Sequence, residues 1–304
     1  MAEGSKTGGE SVLSSYLGRW MSLVILLLLV ALAAAALFLR PDYPAHVPLR
    51  IGICAFDSIA AGPALRSFAS SVREKEGGDI TWRWLGPEGD PSGCDFYIMT
   101  SLQLSTLNLD RGLKVLLIST SRKDGSLSQG AVIVRRGAEP DWSRTVFTSP
   151  SSATGLISPL AAIARGGVNL SDVSYKTLST ACPVCGDAVA HGVLLGRYGA
   201  GGIPLEELRR IEESGSIEPG ALRVLFTGPE LPEILLVSDR ETEEWKSRGF
   251  ARRLQRIAGT VSDPLAREMA RLGMAAFRPP AQGELDLKEA VPHRVWEAAG
   301  YHFP

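Results

Sequence analysis

LRVLFTGPELPEILLVSD, residues Leu222–Asp239, carries two strand-like runs joined by a segment bracketed with prolines. LRVLFTG (Leu222–Gly228) and ILLVSD (Ile234–Asp239) are short apolar runs rich in Leu, Val and Ile, as buried strands are. GPELPE passes the chain from one to the other. Working upstream, the same kind of strand recurs in LRIGICAF (Leu49–Phe56), ITWRWLG (Ile80–Gly86), CDFYIMT (Cys94–Thr100), LKVLLIST (Leu113–Thr120), GAVIVRR (Gly130–Arg136), RTVFTS (Arg144–Ser149) and Val173–Thr177. Lys123-Asp124-Gly125 is a turn signal. Helical spacing of apolar residues (Leu65, Phe68, Ala69, Val72) predicts a helix over Ala60–Lys75, stopped by Gly77-Gly78. Further helices are predicted around Leu102–Leu107 and over Leu156–Arg165, Asp187–Leu195, Leu205–Ser214, Thr242–Ile257, Pro264–Leu272 and Leu287–Ala299. Strands interleaved with helices in two successive units predict an α/β fold of two lobes, each a mostly parallel sheet flanked by helices.

Composition narrows the function. A formal net charge of -1 offers no basic surface for tracking phosphates, so nucleic acid is not expected as a partner. With 45% hydrophobic and 21% charged residues, the chain is neither disordered nor polytopic. No Ser-His-Asp set, nucleotide-phosphate loop or HExxH pattern stands out, so neither an enzyme nor a cofactor is expected.

The N-terminal region reads differently. No charged residue lies between Trp20 and Leu39, and MSLVILLLLVALAAAALFL is nearly all apolar. Twenty residues at helical rise span roughly 30 Å, the thickness of a bilayer core. Arg19 and Arg40 bracket the run, with Tyr16 and Trp20 where aromatic belts form. Ala34-Ala35-Ala36 resembles a cleavage site. The polar stretch before the run is long and the run itself exceeds a signal peptide's ~7–15 apolar residues, which favours an uncleaved anchor. The expected order is a cytoplasmic tail (1–19), a transmembrane helix (20–40) and a Pro-rich linker (41–48) stiffened by Pro41, Pro44 and Pro48. A single-pass protein of the cytoplasmic membrane follows, its globular part on the periplasmic or extracellular side.

The order of segments beyond Leu49 resembles the phosphate/phosphite/phosphonate-type substrate-binding proteins of transport systems, which have a two-lobed periplasmic-binding-protein fold. The likeness is carried by LRIGICAF, CDFYIMTSLQL, the KDG turn with Leu127–Arg136, FTSPSSATGLISPLAAI, Gly186-Asp187 with AVAHGVLLGRYGAGG, LRVLFTGPELPEILLVSD and GMAAFRPP. It implies a first lobe over 49–138, a second over 139–232, and a return to the first with C-terminal helices over 233–304. It also implies an interlobe cleft that closes on a small anion. Ser151, Ser152 and Thr154 stand at the mouth of a helix, where hydroxyls, free N–H groups and the helix dipole suit an anion. The same residues would serve as an ordinary cap. Thr100 and Ser101 would supply the opposing half, and Asp187 opens the next helix. The chain departs from the family at Gly186, where a His is usual, and at Gly199–Gly202, where an acidic residue is usual.

Cys182-Pro183-Val184-Cys185 precedes the Asp187 helix. A CxxC there can be a tight local disulfide, a redox pair or half of a soft-metal site, and His191 would be a third metal ligand. Cys54 and Cys94 are expected roughly 10–17 Å apart along neighbouring strands, beyond disulfide reach. Three functions remain open. The first is a membrane-anchored solute-binding protein for a phosphate- or phosphonate-type anion, serving a transporter or sensor. The second is an accessory subunit of a larger membrane complex, with a degenerate cleft. The third is a thiol redox or metal-handling protein built on Cys182 and Cys185.

Overall fold

The computed structural model describes residues 49–55, 80–85, 93–106, 112–122, 124–178, 186–259 and 274–301. The predicted helices over Ala60–Lys75 and Pro264–Leu272 and the anchor at 20–40 lie outside these residues. Among the described residues, no helix is long and apolar enough to cross a membrane.

The strands form two sheets. The first contains β1 (Leu49–Ile53), β2 (Ile80–Trp84), β3 (Phe96–Thr100), β4 (Lys114–Thr120), β10 (Ile234–Ser238) and β11 (Ala276–Arg278), ordered β11–β4–β10–β3–β1–β2. The second contains β5 (Ser128–Arg135), β6 (Thr145–Phe147), β7 (Tyr175–Thr177), β8 (Ala200–Pro204) and β9 (Leu222–Leu231), ordered β7–β6–β8–β5–β9. Every residue of β3 and β10 is buried, which explains why both read as continuous apolar runs rather than alternating ones.

The sheets are mixed, which corrects the mostly parallel arrangement expected. β1 runs parallel to β2 and β3, and β6 parallel to β7 and β8. β10 is antiparallel to β3 and β4, β11 to β4, and β5 to β8 and β9. The reason lies in how the chain changes sheets. A parallel neighbour needs a long crossover, but β4 passes to β5 through a short turn and β9 to β10 through Pro232-Glu233 alone. In that turn Ser126 donates to Asp124 Oδ1 from its N–H and its hydroxyl, and Gly125 adopts a φ of 90°.

β5 belongs to the second sheet, so the first crossing precedes it rather than following residue 138. The second change of sheet falls between Leu231 and Ile234. β8 is the strand that periodicity fails to read and that only the family resemblance suggests. Its AGGIP run has little strand propensity, yet every residue is buried. A Cβ on Gly202 would sit 2.2 Å from the Phe147 ring, so packing selects glycine there over a better strand former.

α1 (Ser101–Thr106) follows β3, and α2 (Ser158–Arg165), α3 (Asp187–Leu194) and α4 (Leu205–Glu213) cover the second sheet. α5 (Glu244–Gly259) packs on the first through Phe250, whose ring lies 4.5 Å from that of Phe96. Lys246 of α5 donates to Asp95 at 2.6 Å, so the acidic residue before β3 ties helix to sheet. The predicted tail helix is broken at Pro292 into α6 (Leu287–Ala290) and α7 (His293–Ala298). These helices, grouped in sequence with the return to the first lobe, pack on the second. Leu287, Val291, Val295 and Trp296 share a core with Phe147, Leu156 and Leu160.

Trp296 is 1% exposed and its Nε1 donates to Val291 O at 3.2 Å. Trp296→Ala is expected to cost about 3–5 kcal/mol in urea denaturation. Leu195→Ala, at a side chain 68% exposed, should stay within about 0.5 kcal/mol.

Candidate functional site

The site begins where β6 ends. Ser152 caps the next helix from an extended backbone (φ -92°, ψ 120°), and its Oγ accepts from Gly155 N–H at 2.7 Å. The first turn, Ala153–Ile157, is wound wider than an α-helix, and the N–H of Ser158 reaches back to Ala153 O. The predicted helix from Leu156 is therefore a π turn running into α2. Close packing holds the turn in place. A Cβ on Gly155 would lie 1.8 Å from Thr148 Oγ1, and one on Gly228 of β9 would lie 2.0 Å from Ser158 O. Ser158 Oγ donates to Pro229 O and accepts from Gly130 N–H, which stitches the helix start to both crossover strands.

The donors of this turn converge on one carboxylate, that of Glu233. Thr154 donates to Glu233 Oε2 from its N–H at 2.7 Å and its hydroxyl at 2.6 Å. Ser152 Oγ donates to the same oxygen at 3.2 Å, and Ala153 N–H to Oε1 at 3.3 Å. Glu233 is 3% exposed, and no ion pair to it exists among the described residues. Its charge is balanced by oriented neutral dipoles at a helix N-terminus. Burial drives its pKa up, the four hydrogen bonds oppose this, and the outcome is a carboxyl pushed up to about 7.

The backbone beside this side chain serves the other lobe. Ser101 N–H donates to Glu233 O at 3.0 Å and Ser101 Oγ to Pro232 O at 2.6 Å. Pro232-Glu233 thus occupies the first turns of two helices at once, α1 through carbonyls and the π turn through a carboxylate. Tyr301 closes one side. Its hydroxyl donates to Pro150 O at 2.6 Å, and burial foremost, then the Glu233 charge, pushes its phenol up to about 12.

Of the residues singled out in sequence, Ser101, Ser152 and Thr154 meet at this dipeptide. Thr100 lies beside them, buried, in a reciprocal cap: its N–H donates to Gln103 Oε1 and its Oγ1 accepts from Gln103 N–H. Ser151 is half-buried and bonds Ser149. Asp187 points elsewhere, its half-exposed carboxylate accepting from Arg210 at 3.2 Å. A side chain at Gly186 would strike Ile203 at 2.3 Å, so the imidazole usual there in the family has no room. His191 Nδ1 lies 2.8 Å from Asp187 O; a carbonyl only accepts, so that nitrogen carries the proton. Cys182 and Cys185 lie outside the described residues. Among the described residues no group of three or more His, Cys, Asp and Glu could hold a metal.

Cys54 and Cys94 are buried free thiols. They share one core cluster, and burial foremost, then the nearby Cys94, pushes the Cys54 thiol up to about 12. Sequence reasoning missed Glu233 itself. A signal was present: a lone carboxylate in the otherwise apolar LPEILLV must find donors if buried.

A family model described as the periplasmic substrate-binding protein of phosphonate ABC transporters matches residues 93–284. Among solved structures, a binding-protein component of an ABC phosphonate transporter from Pseudomonas aeruginosa is 14% identical, with a TM-score of 0.57 over 78% of this chain and 83% of its own. PhnD1 from Prochlorococcus marinus, solved with methylphosphonate, is 11% identical, with a TM-score of 0.60 over 84% and 99%. XAC2383 from Xanthomonas citri, solved with ATP, is 16% identical, with a TM-score of 0.56 over 83% and 96%. At these identities the likeness establishes the fold. No curated protein matches the chain significantly.

The Glu233 environment has a consequence for stability. An unperturbed glutamate titrates at 4.5 and the folded one at about 7, so the folded state holds the proton more tightly. The stability due to this group is complete below about pH 4.5 and is lost as pH rises through about 7. The loss is on the order of 3 kcal/mol at 1.36 kcal/mol per unit. Urea midpoints compared at about pH 4.5 and about pH 7.5 should show this decline in the native chain and not in Glu233→Gln.

Proposed function

Because the chain belongs to the family of phosphonate ABC-transporter periplasmic substrate-binding proteins, we propose that it is a membrane-held binding protein for a small oxyanion. It works outside the cytoplasm and hands its ligand to a membrane transporter, or reports it to a membrane-bound sensor. Members of this family bind substrate and do not transform it. The recognition element is the turn Ser152–Thr154, with Ser101 approaching from the other lobe. The observation that supports this is the convergence of two N–H groups and two hydroxyls on a single anionic group. Such a nest of neutral donors matches the oxygens of a phosphonate or phosphate head. Closure of the lobes about Pro232-Glu233 and the turn at 121–127 brings the two halves together.

A second reading is favoured by the same carboxylate. If Glu233 never leaves, the fold serves as an accessory subunit of a membrane complex and carries no solute. Titration calorimetry of the full chain in mild detergent separates the two readings. Saturable heat with methylphosphonate or inorganic phosphate, and none with chloride, is expected for the binding protein. Silence toward every oxyanion, with co-migration of a partner on native gels, would select the accessory role.

The anchor is tested independently. The full chain should stay in the membrane pellet after alkaline carbonate washing, and its globular part should be cleaved by protease added to the periplasmic face. Release of the chain by carbonate would mean that residues 20–40 do not span the bilayer.

A further inference from the structure

We propose that Glu233 is the resident occupant of the anion seat, an intramolecular competitor that holds the two lobes together and must be displaced before an external oxyanion enters. This rests on the reading of Ser152–Thr154 as that seat. The carboxylate comes from a residue about eighty positions away in sequence, yet it takes up four donors of the turn. It is 3% exposed and has no ion pair among the described residues, so among these only the donors of the seat meet its charge. An ordinary helix cap is local, and here Ser152 already supplies one through Gly155 N–H. The carboxylate is additional to that cap.

The attachment of Glu233 makes it a strap rather than a plug. Its main-chain carbonyl is bonded to Ser101 of the first lobe and its side chain to the second. The dipeptide is also the whole connection between β9 and β10. Rotation of one lobe against the other at this connection must therefore break one of the two attachments. Withdrawal of the carboxylate empties the seat at the moment the cleft opens. Two anions cannot share one set of four donors, because each would leave the other unsatisfied and like charges would face one another. Entry of a ligand and departure of Glu233 are then a single exchange. The apparent affinity for the ligand is reduced by the fraction of molecules in which the seat stands empty.

The experiment compares the full-length native chain with Glu233→Ala and Glu233→Gln, in detergent, by calorimetry with methylphosphonate and with inorganic phosphate. With an empty-seat population of about 1–10%, Glu233→Ala should bind about 10- to 100-fold more tightly than the native chain. Glu233→Gln keeps the shape, lacks the charge and is expected to lie between them. Equal affinity in native chain and variants would overturn the competitor while leaving the seat intact. No binding by folded variants would overturn both the competitor and the seat. Should the variants fail to fold, the native chain still decides through the side-chain carboxyl carbon of Glu233 observed by NMR. Its resonance should move toward that of a solvated glutamate as methylphosphonate is added. Saturable binding with that resonance unmoved would overturn the proposal.

Discussion

Burying a carboxylate between two lobes constrains everything around it. Removed from water without partners, Glu233 would cost several kcal/mol, so the fold must deliver donors to its carboxylate. It does so with a helix N-terminus, where the first N–H groups have no partner within the helix. The π turn at Ala153–Ile157 aims two of these at the carboxylate, and Ser152 and Thr154 add their hydroxyls. Glycine at 155 and 228 is required because the turn is pressed against Thr148 and against the backbone of Ser158. The C-terminal helices then complete the enclosure, since Tyr301 reaches Pro150 only after α6 and α7 have packed onto the second lobe.

The same junction explains the topology. In a fold with helices on its sheet faces, parallel strands are the rule because a helix returns the chain to its starting edge. Here the chain twice leaves one sheet for the other without a helix, at the turn of residues 121–127 and at Pro232-Glu233. β4 and β5 flank the first passage and β9 and β10 the second, and all four run antiparallel to the strands they pair with. Short direct passages also make good pivots, because few residues need to alter their backbone for two preformed layers to move. Glu233, which bonds residues of both lobes, lies in the second of these passages.

Membership of a phosphonate-binding family sits well with a helix-mouth nest of neutral donors. The nest's content in this structure, a carboxylate of the chain itself, is a feature of these residues and does not follow from the family. Gly186 shows a similar local departure. Ile203 and Glu207 fill the space that a side chain would need, and Asp187 turns to Arg210 on α4.

Much of this was legible in the order of the residues. Buried strands such as FYIMT and ILLVS announce themselves because both faces are covered, leaving no polar position to break the run. SPSSATG reads as a helix mouth because hydroxyl residues before an apolar helix have one common use. Other features required the fold. β8 is a strand because Phe147 and Val189 leave room only for glycine, a contact no local propensity records. The sheet to which β5 belongs depends on its partners β8 and β9, which lie far along the chain. Glu233 was visible as a lone charge in an apolar stretch. That its carboxylate meets Thr154 and its carbonyl meets Ser101 was decided by the tertiary structure alone, because hydrogen bonds across about 80 and about 130 residues depend on packing and not on sequence spacing.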